Sequence, residues 1–252
     1  MSAWTSNSGL KVVAIVQARM GSTRLVGKVL LDLCGKSVLA RVVERLKRAK
    51  TIHEVLVATT NSPRDDVIVE ESGRLSVSVF RGQEDDVLDR YYRAAKEARA
   101  AFVVRVTSDC PLIDPQVSDR TVLEFLAGQP DYASNVLERT YPRGLDTEVF
   151  TVSALERAWR EADQAYQRAH VTAYLYEHPE KFRLMSVTGE KDYSHHRWTI
   201  DTPQDLQLVR AVYERLGSDG HFLWRDVLDL LDRDPKLVEL NSFVMQKSLR
   251  EG

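Results

Sequence analysis

Residues 18–28 read Ala-Arg-Met-Gly-Ser-Thr-Arg-Leu-Val-Gly-Lys, directly after the apolar run Val12-Val13-Ala14-Ile15-Val16. A strand here opens into a loop that carries Arg19, Arg24 and Lys28 among the small residues Gly21, Ser22, Thr23 and Gly27. Small residues let backbone N–H groups approach an anion closely, and fixed cations neutralise its oxygens. At the carboxyl end of a sheet strand, such a loop suits the phosphates of a nucleoside triphosphate. Its spacing excludes the two common phosphate loops. Five residues, not four, separate Gly21 from Gly27, and Val29 follows Lys28 where Walker A has a hydroxyl. No glycine stands two residues after Gly21, so the Gly-x-Gly-x-x-Gly fingerprint is absent too. The plainer reading is a surface loop with solvated cations.

Triphosphate chemistry also needs a metal, and a metal needs carboxylates. The run at 102–107 leads into Ser108-Asp109-Cys110-Pro111, and Pro111 cannot continue a β-ladder. Asp109 therefore projects from a strand end, on the same sheet edge as the 18–28 loop. A carboxylate there suits magnesium, which takes one or two carboxylates together with phosphates and water. The alternative is an aspartate capping its own turn. A second strand-like run, 197–200, ends at Asp201. Thr202 reads as a helix N-cap, Pro203 as the first helical residue and Asp205 as the acidic member of a capping box. Asp205 is thus structural, and Asp201 is left to face the site. Two strand-end aspartates beside a cationic loop predict Mg2+-assisted phosphoryl or nucleotidyl transfer.

A sheet must bring these residues together. Apolar runs at 12–17, 54–59, 77–80 and 102–107 alternate with amphipathic stretches at 37–49, 65–74 and 84–100, with Ser37 as an N-cap. That rhythm predicts an α/β, three-layer fold with a mostly parallel sheet. Short strands at 131–134, 147–150, 182–187 and 197–200 follow, with helices at 153–165, 168–177, 204–216 and 223–231. One domain covers the chain, and 140–195 forms an acceptor-facing, dimerisation excursion. Within it, residues 141–148 (Tyr-Pro-Arg-Gly-Leu-Asp-Thr-Glu) pack a cation and two carboxylates into one loop. Acceptor binding is placed there, with Arg143 meeting an acidic group and Asp146 or Glu148 meeting hydroxyls or an amine. A solvated connection with internal salt bridges is the alternative. His196 lies just before the 197–200 run, within reach of phosphate or acceptor; as strand neighbours, His195 and His196 would face opposite ways. Leu88, Tyr91 and Tyr92 have helical spacing and read as core.

Composition bounds the function. A net charge of −2 over 252 residues excludes a strongly basic nucleic-acid surface. No apolar run is long enough for a membrane span, and the polar first nine residues lack the pattern of a signal peptide. Cys34 and Cys110 read as free thiols, and Cys110 has no activating histidine beside it. A cytoplasmic enzyme is expected.

Five ordered blocks carry a family resemblance: 18–28, then Arg81-Gly82-Gln83-Glu84-Asp85-Asp86-Val87-Leu88-Asp89-Arg90-Tyr91-Tyr92, then 107–114 (Thr-Ser-Asp-Cys-Pro-Leu-Ile-Asp), 141–150, and Thr199-Ile200-Asp201-Thr202-Pro203. The first resembles the opening signature of cytidylyltransferases that make CMP-activated sugar acids, such as CMP-KDO synthetase and acylneuraminate cytidylyltransferase. The set resembles the spore coat polysaccharide biosynthesis protein F branch. The resemblance implies a nucleotide-diphospho-sugar transferase (GT-A-like, Rossmann-like) fold, the reaction CTP + acceptor → CMP-acceptor + pyrophosphate, a small acidic acceptor and a homodimer. It implies that Arg19, Ser22, Arg24 and Lys28 hold the triphosphate and that Asp109 and Asp201 hold magnesium. Arg19, Lys28, Asp109 and Asp201 then carry catalysis, while Ala18, Gly21, Thr23, Thr59, Asn61, Gly82 and Ser108 border the nucleotide. Val26 stands where proline is usual, and Ala169 where glutamate is usual. The rivals are a GT-A glycosyltransferase, for which Ser108-Asp109-Cys110 lacks the second aspartate of Asp-x-Asp, and a sugar-1-phosphate uridylyl- or guanylyltransferase, usually glycine-richer in its opening loop.

Overall fold

The computed structural model describes residues 10–246. Its strands are β1 (Val12–Gln17), β2 (Glu54–Thr60), β3 (Ser78–Gly82), β4 (Phe102–Thr107), β5 (Tyr132–Ser134), β6 (Glu148–Thr151) and β7 (Leu184–Ser186). The helices are α1 (Val38–Leu46), α2 (Asp66–Arg74), α3 (Val87–Glu97), α4 (Pro115–Gly128), α5 (Val152–Glu161), α6 (Ala165–Ala169), α7 (Ala173–Glu177), α8 (Pro203–Leu216), α9 (Trp224–Arg233) and α10 (Lys236–Glu239). The strands form one sheet in the order β3-β2-β1-β4-β6-β5-β7. Parallel pairs join β1 to β2 and β4, β2 to β3, and β5 to β7, whereas β6 runs antiparallel to both its neighbours. The reversal follows from the connection: 135–147 holds no helix that could carry the chain back for a parallel crossover.

β1 is apolar along its length because both its faces are covered. Val12, Ala14 and Val16 meet Leu39, Val42 and Leu46 of α1 and Phe125 of α4. Val13 and Ile15 point the other way, to Leu88, Tyr91 and Ala95 of α3 and Leu155 of α5. A third cluster collects α8 and α9 around Trp198, Ile200, Leu112 and Leu33. Two buried arginines of α1 tie that cluster to the first. Arg41 donates to the carbonyls of Leu33 and Ser218, and Arg45 to those of Ile113, Gly220 and Phe222.

The caps read from sequence are present. Ser37 accepts from the Ala40 N–H, and Thr202 and Asp205 form a complete capping box with Pro203 at the helix start. Three expectations need correction. Helix α4 was not anticipated, although Asp114 caps it and Pro115 opens it. The stretch 153–177 is three helices rather than two, broken at 162–164 and 170–172. Residues 197–200 are not a strand: they form a single bridge, Arg143 to Arg197. This segment instead lies across the 141–146 loop, with the Trp198 N–H on the Arg143 carbonyl and the Ile200 N–H on the Asp109 carbonyl. Freed from a ladder, His195 and His196 do not face apart; their ring centroids are 4.1 Å from each other. Among the core assignments, Leu88 and Tyr91 are buried, while Tyr92 is half-buried and stacks on Trp159.

Candidate active site

β1 and β4 end side by side, so the 18–28 loop and Asp109 share one sheet edge. The loop is held from beneath. Asp65 accepts from the Met20 N–H and from the Thr60 hydroxyl. Gly27, at φ +65, returns its N–H to the Met20 carbonyl and opens the 3-10 turn Lys28–Leu30. That turn aims Lys28 across the edge. Its Nζ donates to Asp109 Oδ2 at 2.6 Å, Asp201 Oδ1 at 2.8 Å and the Ile200 carbonyl at 2.9 Å. Two aspartates far apart in sequence therefore meet on one ammonium.

Further charges fix the pair. Arg24 reaches Asp201 Oδ1 at 2.9 Å, and Arg197 reaches Asp201 Oδ2 at 2.6 Å and Asp205 Oδ1 at 3.0 Å. Thr107 donates its hydroxyl to Asp109 Oδ1. Burial alone would push the Lys28 ammonium down, but the carboxylates of Asp109 and Asp201 outweigh it and hold the group above the ordinary lysine value. Burial would likewise raise the Asp109 carboxyl, yet Lys28 holds it below the usual range. Both groups stay charged at neutral pH. Burial drives the Cys110 thiol well up, so it supplies no thiolate.

Two clefts open from this edge. The first, about 420 Å³, is lined by Ala18, Arg19, Gly21, Ser22, Thr23, Arg24, Lys28, Ser108, Asp109 and Asp201, all anticipated from sequence. Thr59, Asn61 and Gly82 do not line it. Thr59 is fully buried, and Asn61 is exposed with its backbone N–H on the Gly82 carbonyl. Gly82 acts at one remove: a Cβ there would lie 3.1 Å from the side chain of Arg90, which does line the cleft.

The second cleft, about 830 Å³, shares Arg19, Arg24, Asp109 and Asp201 with the first and runs on to Arg143, Asp146 and Glu148. Arg143 makes no side-chain hydrogen bond or ion pair among the described residues, and burial and the neighbouring Arg139 lower its pKa. A guanidinium without a carboxylate partner, facing a cleft, has the chemistry to take an anionic group. Asp146 is held by both terminal nitrogens of Arg139. Glu148 lines this cleft while accepting from Arg105, Tyr132 and Thr172, so most of its acceptor capacity is taken up in holding the cleft wall together. His196 lies outside this cleft, in a separate pocket of about 200 Å³ that Arg143 also borders. It follows a tight turn at 194–195, closed by its own N–H on the Tyr193 carbonyl.

Sequence reasoning missed Gln17, Arg90 and Thr107 in the first cleft, and Arg105, Arg139 and Tyr176 in the second. Gln17 Oε1, Arg90 Nε and Arg105 Nε are buried with no hydrogen-bond partner, as groups kept for a ligand would be. Arg105 had a visible signal: a lone cation inside the apolar strand 102–107. As for a metal, no cluster of three or more His, Cys, Asp or Glu exists among the described residues. Asp109 and Asp201 form a two-carboxylate set, which fits magnesium that completes its shell with phosphate and water.

A mostly parallel sheet whose edge joins a cationic loop to two aspartates defines the class, a nucleotidyltransferase of the nucleotide-diphospho-sugar transferase fold. The cytidylyltransferase family model matches residues 13–230, and the chain belongs to that family. It is 30% identical over 231 residues to the spore coat polysaccharide biosynthesis protein SpsF of Bacillus subtilis, covering 89% of this chain and 95% of that one. A solved cytidylyltransferase from Leptospira borgpetersenii matches with a TM-score of 0.88 and 36% identity, covering 95% of this chain and 99% of the other. A CMP:2-keto-3-deoxy-manno-octonic acid synthetase solved with CTP shares the fold, with a TM-score of 0.63 and 19% identity over 82% of this chain and 99% of that one. No helix among the described residues is long and apolar enough to cross a membrane.

Proposed function

We propose that this protein transfers CMP from CTP to a small acidic acceptor, a sugar acid of surface-polysaccharide synthesis, and releases pyrophosphate. The observation that carries the reading is the junction of the two clefts at Asp109 and Asp201, with Lys28 bonded to both from the first cleft and the unpaired Arg143 in the second. Family membership supports CTP as donor, and SpsF supports the polysaccharide setting.

Arg19, Arg24 and Lys28 bind the triphosphate and neutralise the charge that grows on departing pyrophosphate. Arg143 orients the acceptor by its acidic group, so that an acceptor oxygen meets the α-phosphorus in line. Magnesium held by Asp109 and Asp201 would neutralise phosphate charge and lower the pKa of the attacking oxygen. Charge neutralisation and positioning suffice, and no side chain is needed as a dedicated base. A cytoplasmic homodimer fits the CMP-sugar synthetases that the sequence resembles.

The test is pyrophosphate release from CTP, UTP, GTP and ATP with a panel of acidic sugars and Mg2+. Turnover with CTP, lost by about a hundredfold or more in Lys28→Ala and Asp109→Asn, is expected. Near-normal turnover in either variant, or turnover with another triphosphate only, overturns the assignment.

A further inference from the structure

Lys28 is not simply one more phosphate ligand. Its ammonium sits between the two carboxylates that the metal would use, bonded to an oxygen of each. Around them, Lys28, Arg24 and Arg197 oppose Asp109, Asp201 and Asp205, so the cluster is balanced in charge. A divalent cation entering alone would have to evict Lys28 and would leave an excess of positive charge in a poorly hydrated site. A cation entering with a triphosphate brings more negative than positive charge, and offers the displaced ammonium new oxygens. Lys28 lines the nucleotide cleft, and its flexible four-carbon stem lets the head turn while the 3-10 turn stays in place.

Resting on the cytidylyltransferase reading, we infer that Lys28 is an internal counter-cation of the Asp109–Asp201 pair that exchanges for a divalent metal when the nucleotide arrives. The two carboxylates therefore take a metal tightly only together with the triphosphate, and Arg197 is the positioning residue that holds Asp201 through the exchange. Arg197 is suited to stay. It binds Asp201 and Asp205 at once, Asn241 ties its carbonyl to Asp205, and it does not line the nucleotide cleft. Arg24, which lines the cleft and among the described residues pairs only with Asp201, is free to follow the phosphates.

Mn2+ binding read by electron paramagnetic resonance tests this without turnover. The wild type, Lys28→Met and Lys28→Gln are titrated with Mn2+ alone, then with the α,β-methylene analogue of CTP. Metal held by free analogue is subtracted, and melting curves establish that each variant is folded. The wild type should bind Mn2+ weakly alone and at least about tenfold more tightly with the analogue. Both Lys28 variants should bind Mn2+ alone at least about tenfold more tightly than the wild type. Equal metal-only affinities across the three proteins overturn the inference. Arg197→Met should weaken Mn2+ binding in the presence of analogue, and Arg197→Lys should restore part of it. A change in melting temperature with unaltered Mn2+ affinity would leave Arg197 a structural residue and overturn that half. Should the analogue fail to bind the wild type at all by calorimetry, the nucleotidyl-transfer reading falls, while the metal-only titrations still decide the role of Lys28.

Discussion

Glu148→Gln separates a structural pillar from an acceptor contact. One carboxylate oxygen of Glu148 accepts from Tyr132 at 2.6 Å and from Thr172 at 2.7 Å, and the other accepts from Arg105. Three donors converge on a side chain that is 6% exposed. Glutamine keeps the shape but turns one acceptor into a donor. With its oxygen toward Tyr132 and Thr172, Arg105 is left facing an amide with no counter-charge, and breaking a buried ion pair in this way costs about 3–5 kcal/mol. With the amide reversed, two buried hydroxyls lose their acceptor at about 1–3 kcal/mol each, and the charge partner of Arg105 is lost as well. Either orientation gives a loss of at least about 3 kcal/mol. For a chain of this size that corresponds to a drop of about 6–12 °C in melting temperature. Urea denaturation and thermal melting measure the loss, and acceptor KM in the same variant measures the alternative. Stability within about 0.5 kcal/mol of wild type, combined with a large rise in acceptor KM, would refute the structural reading and return Glu148 to the acceptor.

Burial, then the charge of His195, pushes His196 down from 6.5 to about 4, so between those values the unfolded chain binds a proton that the folded one refuses. Stability should therefore fall on acidification from pH 6.5 to about 4, and His196→Gln should remove that part of the slope in urea midpoints; an unchanged slope counts against it. Gly144 sits at φ +110, and a Cβ there would lie 2.7 Å from the Trp198 carbonyl carbon. Gly144→Ala should cost at least about 2 kcal/mol in urea denaturation and raise acceptor KM through Arg143 and Asp146; a neutral substitution would show that the loop shifts freely.

The nucleotide half of the site was legible because its chemistry is local. Loop 18–28 and the Ser108-Asp109 turn are short segments, each at the end of an apolar strand, and strand ends on one edge meet whatever lies between them in sequence. The acceptor half is built from pairings across the fold. Arg105 answers Glu148 through the β4–β6 ladder, and nothing at either position announces the other. Arg139 stands seven residues from Asp146 and outside the 141–148 block, where a lone arginine looks like a solvated charge in a polar loop. The 197–200 run alternates polar and apolar residues as a strand would, but Thr199 is buried along with Trp198 and Ile200, and the segment satisfies its backbone on a loop rather than a sheet. Alternation in sequence is silent about the partner. The start of helix α4 is masked for another reason: its Asp114 cap and Pro115 follow so soon after the strand-end Asp109 and Pro111 that the segment reads as one continuous loop.

The two buried arginines of α1 have a consequence for how the protein is made. Arg41 and Arg45 end on carbonyls at Ser218, Gly220 and Phe222, about 175 residues later in the chain. At synthesis rates of roughly 5–20 residues per second, α1 waits about 10–35 s on the ribosome before those acceptors exist. During that interval Arg41 has only its local acceptors at Leu33 and Cys34, and Arg45 at most the Ile113 carbonyl, on a helix already able to dock on β1. The first helix is completed by nearly the last part of the described chain, so its cationic flank is fully satisfied only once residues 218–222 have been made.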